Sequence, residues 1–318
     1  MPEQRRGFLF GLGCYLFWGL VPLYWKLISS SGALELLAHR ILWSLVTIVG
    51  LVLVRRRFGQ VRVLLADPRR RWPLIAGAVL ITINWGGYIW SVNNDRIIEA
   101  SLGYFITPLF TVLLGVILLK ERLRPVQWIA VAIAFIAVAG MTIENGRPPW
   151  VALILTFSFG FYGLAKKKAN AGAIEGMAVE SAVVAPLALV AIVILGLQGG
   201  STVTSHGPGY FVLVLLTGPL TAIPLLLFGA AATRISMTTL GLLNYLTPVI
   251  QFLLGTLVFH EHMSPIRWAG FTLVWLALAI FTTDSLTHHR RTRPTDPRAG
   301  SPVASPSAPE STTRTAYQ

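Results

Sequence analysis

Residues 107–128 read TPLFTVLLGVILLKERLRPVQW, and residues 247–268 read TPVIQFLLGTLVFHEHMSPIRW, a spacing of 140. Eight of the 22 positions are identical: Thr107/Thr247, Pro108/Pro248, Leu113/Leu253, Leu114/Leu254, Gly115/Gly255, Glu121/Glu261, Pro125/Pro265 and Trp128/Trp268. Chance supplies leucine matches in so apolar a chain, but not Pro, Gly, Glu and Trp held in register. The chain is two copies of one unit, and both copies are strongly apolar. That pattern points to a membrane transporter built from repeats, with its site between them.

Composition narrows the class further. Hydrophobic residues make up 54% of the 318 and charged residues only 12%, which excludes an ordinary soluble domain. The ten Trp suit the membrane–water interfaces. The single Cys14 lies in an apolar run, so neither a disulfide framework nor a thiolate metal site is expected. Arg5 and Arg6 precede a long apolar run without a small-residue cleavage site, the pattern of a retained first helix.

Ten apolar segments approach bilayer-spanning length, near 7–28, 35–54, 73–92, 100–119, 125–142, 149–165, 176–197, 210–232, 238–258 and 266–284. Runs this long favour helices over strands. The expected fold is therefore an all-α membrane protein with ten transmembrane helices in two five-helix repeats. The first repeat covers 7–142 and the second 149–284. Residues 287–318 form a basic tail rich in Ser, Pro and Thr, expected to be disordered and cytoplasmic.

Charge sets the orientation. With the N-terminus inside, the cytoplasmic segments hold 21 of the 26 Lys and Arg, the outer segments hold four (Lys26, Arg96, Arg147 and Arg267), and Arg40 lies within a helix. That asymmetry puts both termini in the cytoplasm of a bacterial-type inner membrane. It also makes lipid, rather than nucleic acid, the partner of the +13 net charge. Five helices is an odd number, so the second repeat enters the membrane upside down relative to the first. Inverted repeats provide two gating arrangements of similar energy, which suits alternating access.

Several stretches resemble the drug/metabolite transporter superfamily with EamA-type repeats, and within it the RarD proteins, named for an association with chloramphenicol sensitivity. They are FWGLVPLYWK (17–26), ELLAHRILWS (35–44), NW with W and VN over 84–93, EASLGYFITPL (99–109), FSFGFYGLAKKK (157–168), GMAVE (176–180) and AAATRISMTTLG (230–241). The resemblance spans nearly everything but the tail. It implies a ten-helix inner-membrane carrier, an exporter of small amphipathic metabolites or drugs, amino-acid-like or chloramphenicol-like.

The candidate site residues follow from what lipid does not tolerate. Arg40 lies about five residues into its segment, roughly 7 Å from the outer end. A cation there snorkels to headgroups, pairs, or lines a wet cavity where it binds a carboxylate or gates the outer mouth. His39 beside it can titrate near neutral pH. Glu180 is the repeat partner of Arg40 and lies near the inner face, too far for a direct salt bridge. It is a candidate for binding a proton or a substrate amine, or else balances Lys166, Lys167 and Lys168.

Asn84, Tyr88 and Ser91 share one helical face beside Trp85, so Asn84, Trp85 and Tyr88 are expected to line a pocket. Tyr104, Asn244 and Tyr245 have similar standing, and Trp18 and Tyr162 occupy the related FWGL and FYGL segments. Pro22, Pro108, Pro186, Pro219, Pro224 and Pro248 fall inside expected helices and should kink them. Glu121 and Glu261 read as structural turn residues, Glu121 ordering local charges. The partners are a small-molecule substrate, possible coupling protons, and membrane lipids.

No phosphate-binding loop or serine nucleophile elbow occurs, so no cofactor, ATP hydrolysis or other enzyme chemistry is expected. His260, Glu261 and His262 form one isolated triplet without a second cluster, a poor metal site. The rival to a carrier is a receptor or assembly factor that binds a ligand without moving it.

Overall fold

The computed structural model describes residues 2–28, 30–93, 97–144, 150–199, 203, 206–258, and 265, 268–270, 272–273, 275–277, 279–280 and 283–284. The His260, Glu261 and His262 triplet and the tail lie outside the described residues. Eleven helices are delimited: α1 (Glu3–Leu27), α2 (Ala33–Val54), α3 (Phe58–Ala66), α4 (Pro68–Asn93), α5 (Ile97–Leu119), α6 (Pro125–Glu144), α7 (Trp150–Ala169), α8 (Ala173–Leu197), α9 (Gly207–Ala232), α10 (Met237–Asn244) and α11 (Leu246–Leu257). Further helical turns follow within 268–284. The described residues contain no strand, as expected where every backbone N–H and C=O must be satisfied within its own segment.

Four spans, Glu3–Trp25, Ala33–Val54, Ala173–Leu197 and Gly207–Ala232, are long and apolar enough to cross a bilayer by length and composition. Two details depart from the sequence reading. The basic stretch after α2 contains its own short helix, α3, which buries Leu64. The apolar segment near 238–258 breaks at Tyr245 into α10 and α11. Pro108 sits deep inside an unbroken α5, whereas its repeat partner Pro248 falls in the first turn of α11, where the missing N–H costs nothing.

The two repeats interdigitate rather than stand side by side. The α7 helix packs against α4 and α5, α2 against α8 and α9, α1 against α9 and α11, and α5 against α10, so the most extensive helix pairs join one repeat to the other. Between the repeats lies a plug of aromatic rings. Tyr162 and Phe228 stack at 5.4 Å, with Phe159, Trp18 and Tyr15 packed edge-on or tilted around them.

One end of the bundle is basic and tied across the repeats. Arg234, just beyond α9, meets Glu3 on α1 at 2.8 Å, and Arg57 meets Glu175 on α8 at 3.0 Å. Lys167 at the end of α7 donates to the carbonyl of Ile235 at 2.6 Å, beyond α9. Glu121 does more than order the charges of its turn. Its carboxylate accepts from the backbone N–H of Met237 at 2.7 Å, the N–H of Thr238 at 2.9 Å and the Thr238 hydroxyl at 2.7 Å.

Glu121 therefore caps the first turn of α10 from the other repeat, where a negative charge also meets the positive end of the helix dipole. Glu121→Ala is expected to cost about 2 kcal/mol, because the buried donors lose their acceptor. Thermal melting of the purified protein checks this, with Glu121→Gln recovering part of the loss through its remaining amide oxygen. A melting point unchanged in Glu121→Ala would show that water replaces the cap at no cost.

Candidate functional site

A cavity of about 160 Å³ lies beside the aromatic plug, and both repeats line it. From the first repeat come Trp18, Trp25, Arg40, Asn84, Trp85, Tyr88, Tyr104 and Thr107; from the second come Phe159, Thr221, Asn244, Thr247 and Gln251. Tyr104 and Asn244 are repeat-equivalent, and so are Thr107 and Thr247. The two copies thus bring the same positions to one space.

Arg40 dominates its electrostatics. The α2 helix carries it inward, and α9 meets it with Thr221, whose hydroxyl accepts from Arg40 Nε at 3.0 Å. The guanidinium lies 4.1 Å from the ring centre of Trp85 and 5.4 Å from that of Trp25. A position over indole rings stabilises a partly desolvated cation, by about 2 kcal/mol in such a setting. Among the described residues no carboxylate lines the cavity, and Arg40 is the cation that faces it.

The other polar groups divide by what they already hold. The Asn84 amide donates to the carbonyl of Leu155 at 2.9 Å and to the Ser158 hydroxyl at 3.0 Å, clamping α4 to α7. Thr247 donates to the carbonyl of Tyr15 at 3.0 Å and Gln251 to that of Trp18 at 3.4 Å, which ties α11 to α1. Tyr88 and Tyr104 face each other with ring centres 6.1 Å apart. Walls of aromatic rings, a few hydroxyls and one cation suit a small ligand with an apolar body and an acidic or strongly polar head.

Of the residues singled out in the sequence, Trp18, Arg40, Asn84, Trp85, Tyr88, Tyr104 and Asn244 line this cavity, and His39, Tyr162, Glu180 and Tyr245 do not. His39 leaves Nδ1 buried without a hydrogen-bond partner. Tyr245 packs at the α10–α11 break among Phe105, Leu109 and Leu242. Tyr162 forms the plug beneath the cavity. Glu180 lies beyond it, toward the basic end, and pairs with Lys166 at 2.7 Å rather than with Arg40.

The sequence reading passed over Trp25, Thr107, Thr221, Phe159, Thr247 and Gln251. The repeat carried the signal for Thr107 and Thr247, which sit beside the paired prolines. Thr221 has no such mark, because one hydroxyl in an apolar helix reads as any other.

The sequence pattern of the EamA-like transporter family matches this chain twice, over residues 5–143 and 148–283. Protein RarD of Streptomyces exfoliatus is 54% identical over 292 residues, covering 92% of each chain. An uncharacterized transporter of Pseudomonas aeruginosa is 42% identical over 287 residues, 90% of this chain and 96% of that one. A solved crystal structure superposes with a TM-score of 0.69 at 20% identity, covering 88% of this chain and 98% of the other, a likeness of fold. With both halves matched and relatives aligned along nearly their whole length, the chain belongs to the EamA-like transporter family and is a multi-pass membrane protein of bacterial type.

Proposed function

We propose that this protein is a secondary carrier that moves a small amphipathic metabolite with an anionic head, amino-acid-like in size, out of the cell by alternating access. What supports the reading is the cavity between the repeats, with Arg40 presented on aromatic faces and, among the described residues, no acid in its lining. The basic asymmetry of the sequence assigns the tied end to the cytoplasm. The arrangement described is then the one with its cytoplasmic side closed, and the inverted repeats supply the opposite arrangement.

Size favours a metabolite over a bulky drug. A cavity of about 150 Å³ in a protein core accommodates benzene, so the 160 Å³ here suits an amino acid or a small aromatic acid. A chloramphenicol-like molecule needs a larger opening. Uptake into inside-out vesicles, with and without an imposed proton gradient, tests this on labelled amino acids, small carboxylic acids and chloramphenicol. Saturable uptake of the small acids, with chloramphenicol excluded, is expected. Binding of an acid without any flux would instead make the protein a receptor.

A further inference from the structure

We propose that Glu180 is a proton-binding site, separate from the substrate cavity and joined to it through the Tyr162 plug. The proposal rests on the carrier reading, because it uses the exchange of the two repeats between arrangements. The site itself is defined by contacts. Glu180 and Lys166 are each 5% exposed, and their charged atoms meet at 2.7 Å between α8 and α7. The Tyr162 hydroxyl donates to the same oxygen, Oε2, at 3.3 Å.

The other oxygen, Oε1, is buried with no hydrogen-bond partner. It faces Gly77 on α4, where an added Cβ would stand 3.1 Å away. A carboxylate with one empty oxygen in an apolar setting has a ready place for a proton, because the O–H form is far cheaper to bury than the charge. The remaining neighbours do not alter this. Among the described residues, the Lys166 ammonium and the Tyr162 hydroxyl meet Glu180, both from α7. On α8 itself Glu175 is engaged by Arg57, α4 offers Gly77, α9 offers Gly229 against the Lys166 stem, and Cys14 of α1 faces Tyr162.

The repeat connects this site to transport. Glu180 occupies in the second copy the position that Arg40 occupies in the first, and Arg40 lines the cavity now present. Exchange of the two arrangements brings Glu180 to a cavity open at the basic end and seals Arg40. The proton then passes from hydronium to a Glu180 carboxylate oxygen, one O–H bond forming as another breaks. Neutral Glu180 no longer holds Lys166, which turns toward the water at the basic end.

The plug makes the step sensitive to substrate. Phe159 lines the cavity and lies 6.0 Å from the Tyr162 ring, whose hydroxyl rests on Glu180. A ligand that shifts Phe159 thus shifts a hydrogen bond to the carboxylate.

Dicyclohexylcarbodiimide tests the proposal, since it adds only to the protonated carboxyl. The full chain in liposomes is labelled across pH and the peptide containing residue 180 is read by mass spectrometry. Labelling at Glu180 is expected to fall as the pH is raised from about 5.5 to about 8. Lys166→Met should be labelled across that range, because a lone buried carboxyl keeps its proton. Glu180→Gln should lose gradient-driven accumulation of substrate while keeping substrate counterflow.

Wild type and Lys166→Met both unlabelled at every pH would overturn the proposal, as would gradient-driven accumulation surviving in Glu180→Gln. The labelling needs no substrate and no folded Glu180 variant. Its failure is thereby distinct from a failure to find flux, which would count against the carrier reading instead.

Discussion

Arg40→Met is expected to lower transport by about a hundredfold or more while the protein melts at or above the temperature of its parent. Two opposed terms set this result. A charge-assisted hydrogen bond to a substrate anion contributes about 1.5–3 kcal/mol, or roughly 10–150-fold in affinity, and a bidentate guanidinium makes two. Among the described residues, however, Arg40 is met by the Thr221 hydroxyl at 3.0 Å and the faces of Trp85 and Trp25. Those contacts return about 2 kcal/mol of cation–π attraction, against several kcal/mol for withdrawing an unpaired cation from water.

Methionine fills similar space without that burden. Stability held at the expense of function is the signature of a residue kept for its ligand. Arg40→Lys should fall between the two, since it keeps the charge but loses the planar guanidinium and its Nε donor. Vesicle flux and thermal melting on the same three proteins decide the matter. A sharp fall in melting temperature for Arg40→Met, with flux per folded molecule unchanged, would make Arg40 a structural residue.

Much of this arrangement was legible in the sequence because lipid enforces it. An apolar run in a bilayer has to be helical, so the segments could be placed without knowing their neighbours. Helical spacing was enough to set Asn84 and Tyr88 on one face, and both reach the cavity. Ser91, on the same face, is turned back to the carbonyl of Tyr88 at 2.6 Å instead. The 140-residue repeat paired Arg40 with Glu180, and the separation expected between them agrees with their different partners, Thr221 and Lys166.

What the sequence left hidden depends on rotation about helix axes and on partners far away in the chain. Lys166, Lys167 and Lys168 read as three equivalent charges marking the inner end of a span. In the fold, Lys166 is buried on Glu180 and Lys167 reaches the carbonyl of Ile235 beyond α9. A shift of about 100° per residue separates those fates, and a continuous run of lysines gives no sign of which one faces inward. Glu121 is similar: its partners lie 116 and 117 residues away, and they are backbone N–H groups, which leave no mark in a sequence. The aromatic plug was also invisible as a unit, because Tyr15, Trp18, Phe159, Tyr162 and Phe228 come from three helices.

A close approach of α2 and α9 supplies the second large effect. A Cβ built on Gly218 would fall on the backbone carbonyl of Trp43 and stand 2.7 Å from the Trp43 Cβ. Backbone cannot swing aside as a side-chain tip does, so Gly218→Ala must push the two helices apart. The Ser44 hydroxyl bonds the Gly218 carbonyl at 3.3 Å across the same contact. Membrane helices often meet through such small residues, since packing replaces the hydrophobic drive that lipid removes. Overpacking against backbone costs about 3 kcal/mol or more. The damage extends to the site, because Thr221 lies one turn along α9 from Gly218 and Arg40 one turn along α2 from Trp43. Separating the helices therefore breaks the 3.0 Å bond that orients Arg40. Gly218→Ala should give little folded protein and, in what does fold, weakened transport. Gly50→Ala, on α2 with open space around its added Cβ, is the matched control and should be silent in both assays. Equal melting of the two variants would mean that α2 and α9 separate at no cost, and that the orientation of Arg40 does not depend on their contact.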